Sequence, residues 1–205
     1  MIIAGSLSRP ALRRQLRQAR RNLSLLEQRQ AARDIYRQLA QHPLFRRARS
    51  LAVYLPNDGE IDPSLLLKEA WRRGKAAFIP VLPKWPATRM LFQQITPGEA
   101  LENNRFRIAQ PRPRKAFQRK CWTLDLILLP LVGFDDGGGR LGMGGGFYDR
   151  SLACLTRRKD WRKPVLIGLA HECQKVDHLT LSPLDVPMTA TVTGSRWYSA
   201  AKSAQ

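Results

Sequence analysis

The chain has 205 residues, 43% of them hydrophobic, and carries 35 Lys plus Arg against 16 Asp plus Glu, a formal net charge of +19. That size and apolar content predict a single domain spanning residues 1–205 and exclude a disordered or fibrous chain. No apolar run approaches the roughly 20 residues that cross a bilayer, and no secretory leader opens the chain, so a cytoplasmic protein without a membrane partner is expected.

Residues 1–8 and 199–205 read as flexible ends. Residues 9–23 form an amphipathic helix with Leu12, Leu16, Ala19 and Leu23 on one face and Arg9, Arg13 and Arg17 as an adjacent stripe. An arginine-rich, acid-free start also fits a mitochondrial transit peptide, but the fold reading uses this helix. Residues 27–41 read as a second helix, and Leu51–Leu55 as a short buried strand followed by a turn at Asn57-Asp58-Gly59. Asp62-Pro63 opens a helix, Asp62 as N-cap, that stops at Gly74. Strands follow at 77–81 and 90–92, then a basic, proline-containing loop at 109–120. The apolar run 124–132 is a further strand, 146–158 a helix, and 165–169 and 189–193 close the set. The alternation predicts an α/β fold: a largely parallel sheet flanked by helices, a Rossmann-like three-layer architecture with ligands beyond the carboxyl ends of the strands.

Seven of the chain's fourteen glycines lie between residues 137 and 146, GGGRLGMGGG, directly after the 124–132 strand and before a helix start. Glycine loses the most entropy on folding, so such a cluster requires a backbone reason. Successive N–H groups in a glycine turn form an anion nest, and a helix start adds a positive dipole end. A phosphate cradle is one reading; a flexible surface hairpin is the other. No Lys-Ser or Lys-Thr completes a Walker loop, and Phe147 stands where a dinucleotide fingerprint needs its third glycine. Cys121, Cys154 and Cys173 include no C-x-x-C and read as reduced thiols; His42, His171 and His178 have no metal spacing.

The string RLGMGGGFYDR, after an apolar strand ending LPLVGFDDGG, resembles the signature of the 5-formyltetrahydrofolate cyclo-ligases. Arg9-Pro10-Ala11-Leu12-Arg13, Tyr54-Leu55-Pro56 with Gly59-Glu60-Ile61-Asp62, and Leu184-Asp185-Val186-Pro187 leading to Thr191-Val192-Thr193 agree with that family in the same order, so the resemblance runs from residue 9 to about 198. It implies an ATP- and Mg²⁺-dependent enzyme that phosphorylates the formyl oxygen of 5-formyltetrahydrofolate. N10 then attacks and phosphate leaves, giving 5,10-methenyltetrahydrofolate. Phosphoryl transfer of this kind needs positioning and charge more than a covalent nucleophile.

Carried over position by position, the resemblance places Arg9, Arg13, Arg140 and the loop Leu141, Gly142, Met143, Gly144, Gly145, Gly146, Phe147 and Tyr148 at ATP. It puts Leu55, Glu60 and residues 143–147 at the folate, Asp149 and Asp185 at Mg²⁺, and makes Arg140 and Tyr148 catalytic. Each acid has a plainer reading: Asp149 as a helix-start acid, Glu60 as a solvated turn residue, Asp185 as a turn former. Many relatives carry basic residues where this chain has Met143 and Gly145, so the phosphate contacts rest on Arg9, Arg13 and Arg140. A monomer with no specific nucleic-acid partner is expected. Two other functions fit parts of the chain: a basic nucleic-acid binder, without recognised motif or interleaved aromatics, and a sugar-phosphate isomerase on a similar fold.

Overall fold

The computed structural model describes residues 7–82, 89–104, 106, 108–157, 164–180, 182 and 185–200. The chain runs α1 (Arg9–Arg21), α2 (Leu25–Gln41), α3 (Pro43–Arg47), β1 (Ser50–Ala52), α4 (Ser64–Arg72), β2 (Ala76–Val81), β3 (Leu91–Gln94), β4 (Leu101–Asn103) and β5 (Ala109–Pro111). It continues through β6 (Gln118–Arg119), β7 (Leu126–Pro130), β8 (Gly133–Phe134), β9 (Arg140–Leu141), α5 (Phe147–Leu152), α6 (Cys154–Arg157), β10 (Val165–Leu169), β11 (Ala190–Val192) and β12 (Trp197–Ser199).

One eight-stranded sheet has the order β12-β11-β10-β7-β1-β2-β3-β6. Its centre, β11 to β2, is parallel, and the outer strands β12, β3 and β6 are antiparallel. A parallel centre is buried on both faces, and β7 shows why its sequence is apolar without alternation. Leu126 and Leu128 pack with Ile35 and Leu39 of α2, Phe45 of α3 and Leu66 of α4. Ile127 and Leu129 point the other way, to Leu152 of α5 and Leu155 of α6. The three-layer α/β expectation therefore holds, with antiparallel strands added at both edges.

Local differences have physical reasons. The Asp62 carboxylate accepts hydrogen bonds from Ser64, but the residue in the N-cap place is Pro63, with no side-chain cap. The basic 109–120 segment is not only loop: β5 pairs with β4 and β6 adds to the sheet edge. The helix expected over 146–158 breaks after Leu152 into α5 and the four-residue α6; Arg158 lies outside the described residues. Of the ends read as flexible, Ser8 caps α1 and Ser199 belongs to β12, while 1–6 and 201–205 lie outside the described residues.

The face read on α1 is also altered. Leu12 and Leu16 are buried as expected, but the third buried residue is Arg20. It follows Leu16 by four residues, so it continues the same face.

All three cysteines are free thiols. His42 stacks on Trp197 and caps α3, and His171 is buried beneath the turn after β1.

Candidate active site

A cavity of about 900 Å³ opens at the carboxyl ends of the parallel strands. Its floor is Tyr54 and Leu55 after β1, Leu82 after β2, and Pro130 and Leu131 at the end of β7. The volume lies near the upper end of the range for small-molecule sites.

The glycine window divides into two parts. Residues 135–139 are the tip of the β8–β9 hairpin. Buried Asp135 holds it by accepting the Gly139 N–H at 2.7 Å and the Leu179 N–H at 2.8 Å. A Cβ on Gly139 would sit 2.7 Å from the Asp135 carboxylate, and one on Gly138 2.6 Å from Ala200. Those glycines serve packing: this half of the window is a hairpin, but a buried and pinned one, not the flexible surface hairpin of the alternative reading. Gly142 to Gly146 line the cavity. Gly144 has φ +100° and Gly146 φ +62°, backbone that side chains rarely adopt. Gly146 starts α5, whose six residues leave the helix dipole a small part; guanidinium groups supply the positive field.

Three arginines converge on that glycine wall. Arg9 and Arg13 reach it from α1, and the Arg13 Nε–H donates to the Gly142 carbonyl at 2.9 Å. Burial and the charge of Arg9 lower the Arg13 pKa from its ordinary value, Asp185 acting in the opposite sense. Arg140 of β9 is buried, pairs with Asp149, and lies 5.7 Å over the Tyr148 ring. Among the described residues its Nε–H has no hydrogen-bond partner, and a buried unsatisfied donor on a charged group is costly unless an anion meets it.

Two carboxylates sit on the same wall. Asp185 accepts from the Arg9 guanidinium at 3.3 Å and from the Ser182 N–H at 2.8 Å. Asp149 is the partner of Arg140 in the first turn of α5. Among the described residues no three His, Cys, Asp or Glu gather to hold a metal by protein alone. A pair of hard oxygen donors beside an anion pocket fits a cation such as Mg²⁺, which takes one or two carboxylates and completes its shell from phosphate and water.

The other half of the cavity is apolar: Leu55, Ile79, Leu82, Met90, Phe106, Ile108, Met143 and Phe147. Phe106 meets Phe147 edge-on at 5.6 Å. Met143 and Phe106 are nearly half exposed at its mouth, surface that a bound ligand would cover. Glu60 is the acid of this half. Its Oε2 accepts the Asn57 N–H at 3.1 Å, and burial pushes its pKa up to about 7 against the downward pull of Arg20. Tyr148 lies between the halves; burial and the nearby Glu60 raise its pKa, so its hydroxyl stays protonated at neutral pH.

The cavity thus gathers Arg9, Arg13, Leu55, Glu60, Arg140, Gly142 to Phe147, Tyr148, Asp149 and Asp185. Leu141, whose backbone was expected at ATP, does not line the cavity: its side chain packs with Leu12, Leu16 and Val132, and its carbonyl accepts the Val132 N–H. Sequence reasoning passed over Ile79, Leu82, Met90, Phe106 and Ile108, which come from strands and a hairpin and carry no signature. Arg17, the third residue of the basic stripe, does not reach the cavity; with Arg21 it binds the Asp58 carboxylate.

A cavity split between a cationic glycine wall and an apolar wall suits an enzyme whose ligands present both charged and apolar surface. Comparison with known proteins specifies the kind. The model of the 5-formyltetrahydrofolate cyclo-ligase family matches residues 6–194. The 5-formyltetrahydrofolate cyclo-ligase of Escherichia coli K12 is 37% identical over 183 residues, 88% of this chain and 97% of that protein. That of Haemophilus influenzae is 34% identical over 192 residues, 91% and 97% of the two chains. The solved 5,10-methenyltetrahydrofolate synthetase of Aquifex aeolicus superposes with a TM-score of 0.79 at 26% identity, covering 97% of this chain and 96% of its own. The chain belongs to the 5-formyltetrahydrofolate cyclo-ligase family. It is an enzyme that converts 5-formyltetrahydrofolate to 5,10-methenyltetrahydrofolate, which sets aside the isomerase reading.

Proposed function

We propose that ATP occupies the arginine and glycine wall of the cavity and that the folate lies on its apolar wall. The observation that carries this reading is the unpartnered Arg140 Nε–H beside Arg9, Arg13 and two left-handed glycines. Arg9 and Arg13 are one helical turn apart and bind phosphate oxygens, while the backbone N–H groups of the loop close around them. Arg140 and Tyr148, where the two walls meet, stabilise the charge that develops as the γ-phosphate moves to the formyl oxygen. The activated carbon then accepts N10, and phosphate leaves as the ring closes. Leu55, Glu60 and residues 143–147 hold the folate so that its formyl oxygen faces the triphosphate.

Asp149 and Asp185 are the residues that would hold Mg²⁺, which when bound neutralises part of the triphosphate charge. Arg140 and Arg9, paired with Asp149 and Asp185, orient these carboxylates. The test is spectroscopic. Purified protein mixed with 5-formyltetrahydrofolate produces the methenyl-folate absorbance band only when ATP and a divalent cation are both present. Full turnover without ATP or without the cation would overturn the assignment.

A further inference from the structure

We propose that Arg20 is a positioning residue for the folate half of the cavity, fixing from below the turn that presents Glu60. The proposal rests on the reading that Glu60 contacts the folate.

Arg20 is fully buried, which an arginine sustains only when its donors are met. Its Nε–H donates to the Asp58 carbonyl at 2.7 Å, Nη2 to the Asp58 carboxylate at 2.8 Å, and Nη1 to the Leu131 carbonyl at 3.2 Å. The fork therefore ties the Asp58-Gly59-Glu60 turn to the end of β7, and Glu60 and Leu131 both line the cavity. The turn needs such a clamp. Asp58 has φ +54°, the one non-glycine left-handed residue among those described, and Gly59 has φ +76°. Gly59 lies against the Arg20 stem, where a Cβ would stand 3.5 Å from Cγ, and its carbonyl meets His171 Nε2 at 3.2 Å. Arg17 and Arg21 hold the same Asp58 carboxylate from the solvent side.

The fork also acts by charge. Nη1 stands 4.0 Å from Glu60 Oε1, too far for a hydrogen bond and close enough for strong attraction in a buried site. The groups facing Glu60 are Arg20 and Arg17 from α1, Asp58 on its own turn, Tyr54 after β1 and Tyr148 of α5, with His171 under Gly59. Of these, Arg20 is the strongest stabiliser of the ionised carboxylate. One helix thus serves both walls: Arg9 and Arg13 at its start face the glycine wall, and Arg20 near its end holds the folate turn.

The test compares Arg20→Gln, Arg20→Lys, Glu60→Gln and the Arg20→Gln/Glu60→Gln pair, reading KM for each substrate and the pH profile of kcat/KM for the folate. Arg20→Gln is expected to raise the folate KM about tenfold or more with the ATP KM nearly unchanged. It should also move the acid limb of the profile up by about one pH unit, because the charge favouring ionisation is gone. Arg20→Lys keeps the charge, so the limb stays while the folate KM still rises. With Glu60 already replaced, Arg20→Gln should shift no limb. A folded Arg20→Gln protein with lower thermal stability but unchanged folate KM and limb overturns the proposal and leaves Arg20 a structural clamp. Glu60→Gln with unchanged folate KM overturns the reading beneath it, and the proposal with it. If Arg20→Gln does not fold, Asp58→Asn, which tolerates the left-handed backbone and loosens the clamp from the other side, replaces it in the same comparison. An unchanged folate KM there counts against the proposal equally.

Discussion

Replacing Gly144 by alanine separates a ligand-binding loop from a structural one. At φ +100° an alanine is strained by about 1–3 kcal/mol. In a chain of 205 residues that lowers the melting temperature by roughly 2–12 °C. No steric clash adds to this, since the new Cβ would stand 3.5 Å from Arg13 Cζ and 3.7 Å from its Nε and Nη1. The methyl group would instead cover the guanidinium face turned toward the cavity. If that face binds phosphate, the lost charge-assisted contact is worth about 1.5–3 kcal/mol, or about 10- to 150-fold in the KM for ATP. Gly98 supplies the control: its φ is +78°, nothing lies within 4 Å of a Cβ there, and it lines no part of the cavity. Thermal unfolding and steady-state kinetics on Gly144→Ala and Gly98→Ala decide the matter. Both should lose stability comparably, and only Gly144→Ala should raise the KM for ATP. Equal melting losses with unchanged ATP kinetics in both would refute the phosphate role of Gly144.

Arg13→Ala should raise the KM for ATP about 10- to 150-fold with little change for the folate, measured against exposed Arg14→Ala. Arg17 and Arg21, on the same helix, cannot serve as neutral controls because both bind Asp58. Asp149→Asn should lower kcat by orders of magnitude in a protein that still melts cooperatively, and raise the cation concentration needed for half-maximal rate; a near-normal rate would remove Asp149 from the cation site. The folded-state pKa of Glu60, about 7, is above the ordinary carboxylate value. Burial therefore costs stability as pH rises from about 4.5 to 7, and Glu60→Gln should gain up to about 3 kcal/mol on wild type across that window in denaturant titrations. A stability difference that does not change with pH would show that Glu60 is already solvated. The +19 surface should bind nucleic acid weakly, without sequence preference, and lose it between low and physiological salt in a filter or anisotropy assay; a complex that persists at physiological salt would contradict this.

The sequence by itself determined the layered α/β fold, because apolar runs such as 126–130 and 165–169 have no alternation and can only be central strands covered on both faces. It also marked the glycine window, seven glycines in the ten residues 137–146 after such a strand, and the acids and arginines that the family resemblance carried over. Only the tertiary structure decided which glycines face a ligand. Gly138 and Gly139 are required by Ala200 and Asp135, contacts made across the fold that leave no local trace. The apolar wall was hidden for the same reason: Met90, Phe106 and Ile108 look like ordinary core or hairpin residues until three separate segments meet. Arg20 shows the limit most clearly. Its spacing from Leu16 places it on the buried face, but charge alone argues for solvent. What reverses that argument is a set of partners, Asp58 38 residues away and Leu131 111 residues away, whose carbonyls and carboxylate take the place of water only once the chain has folded.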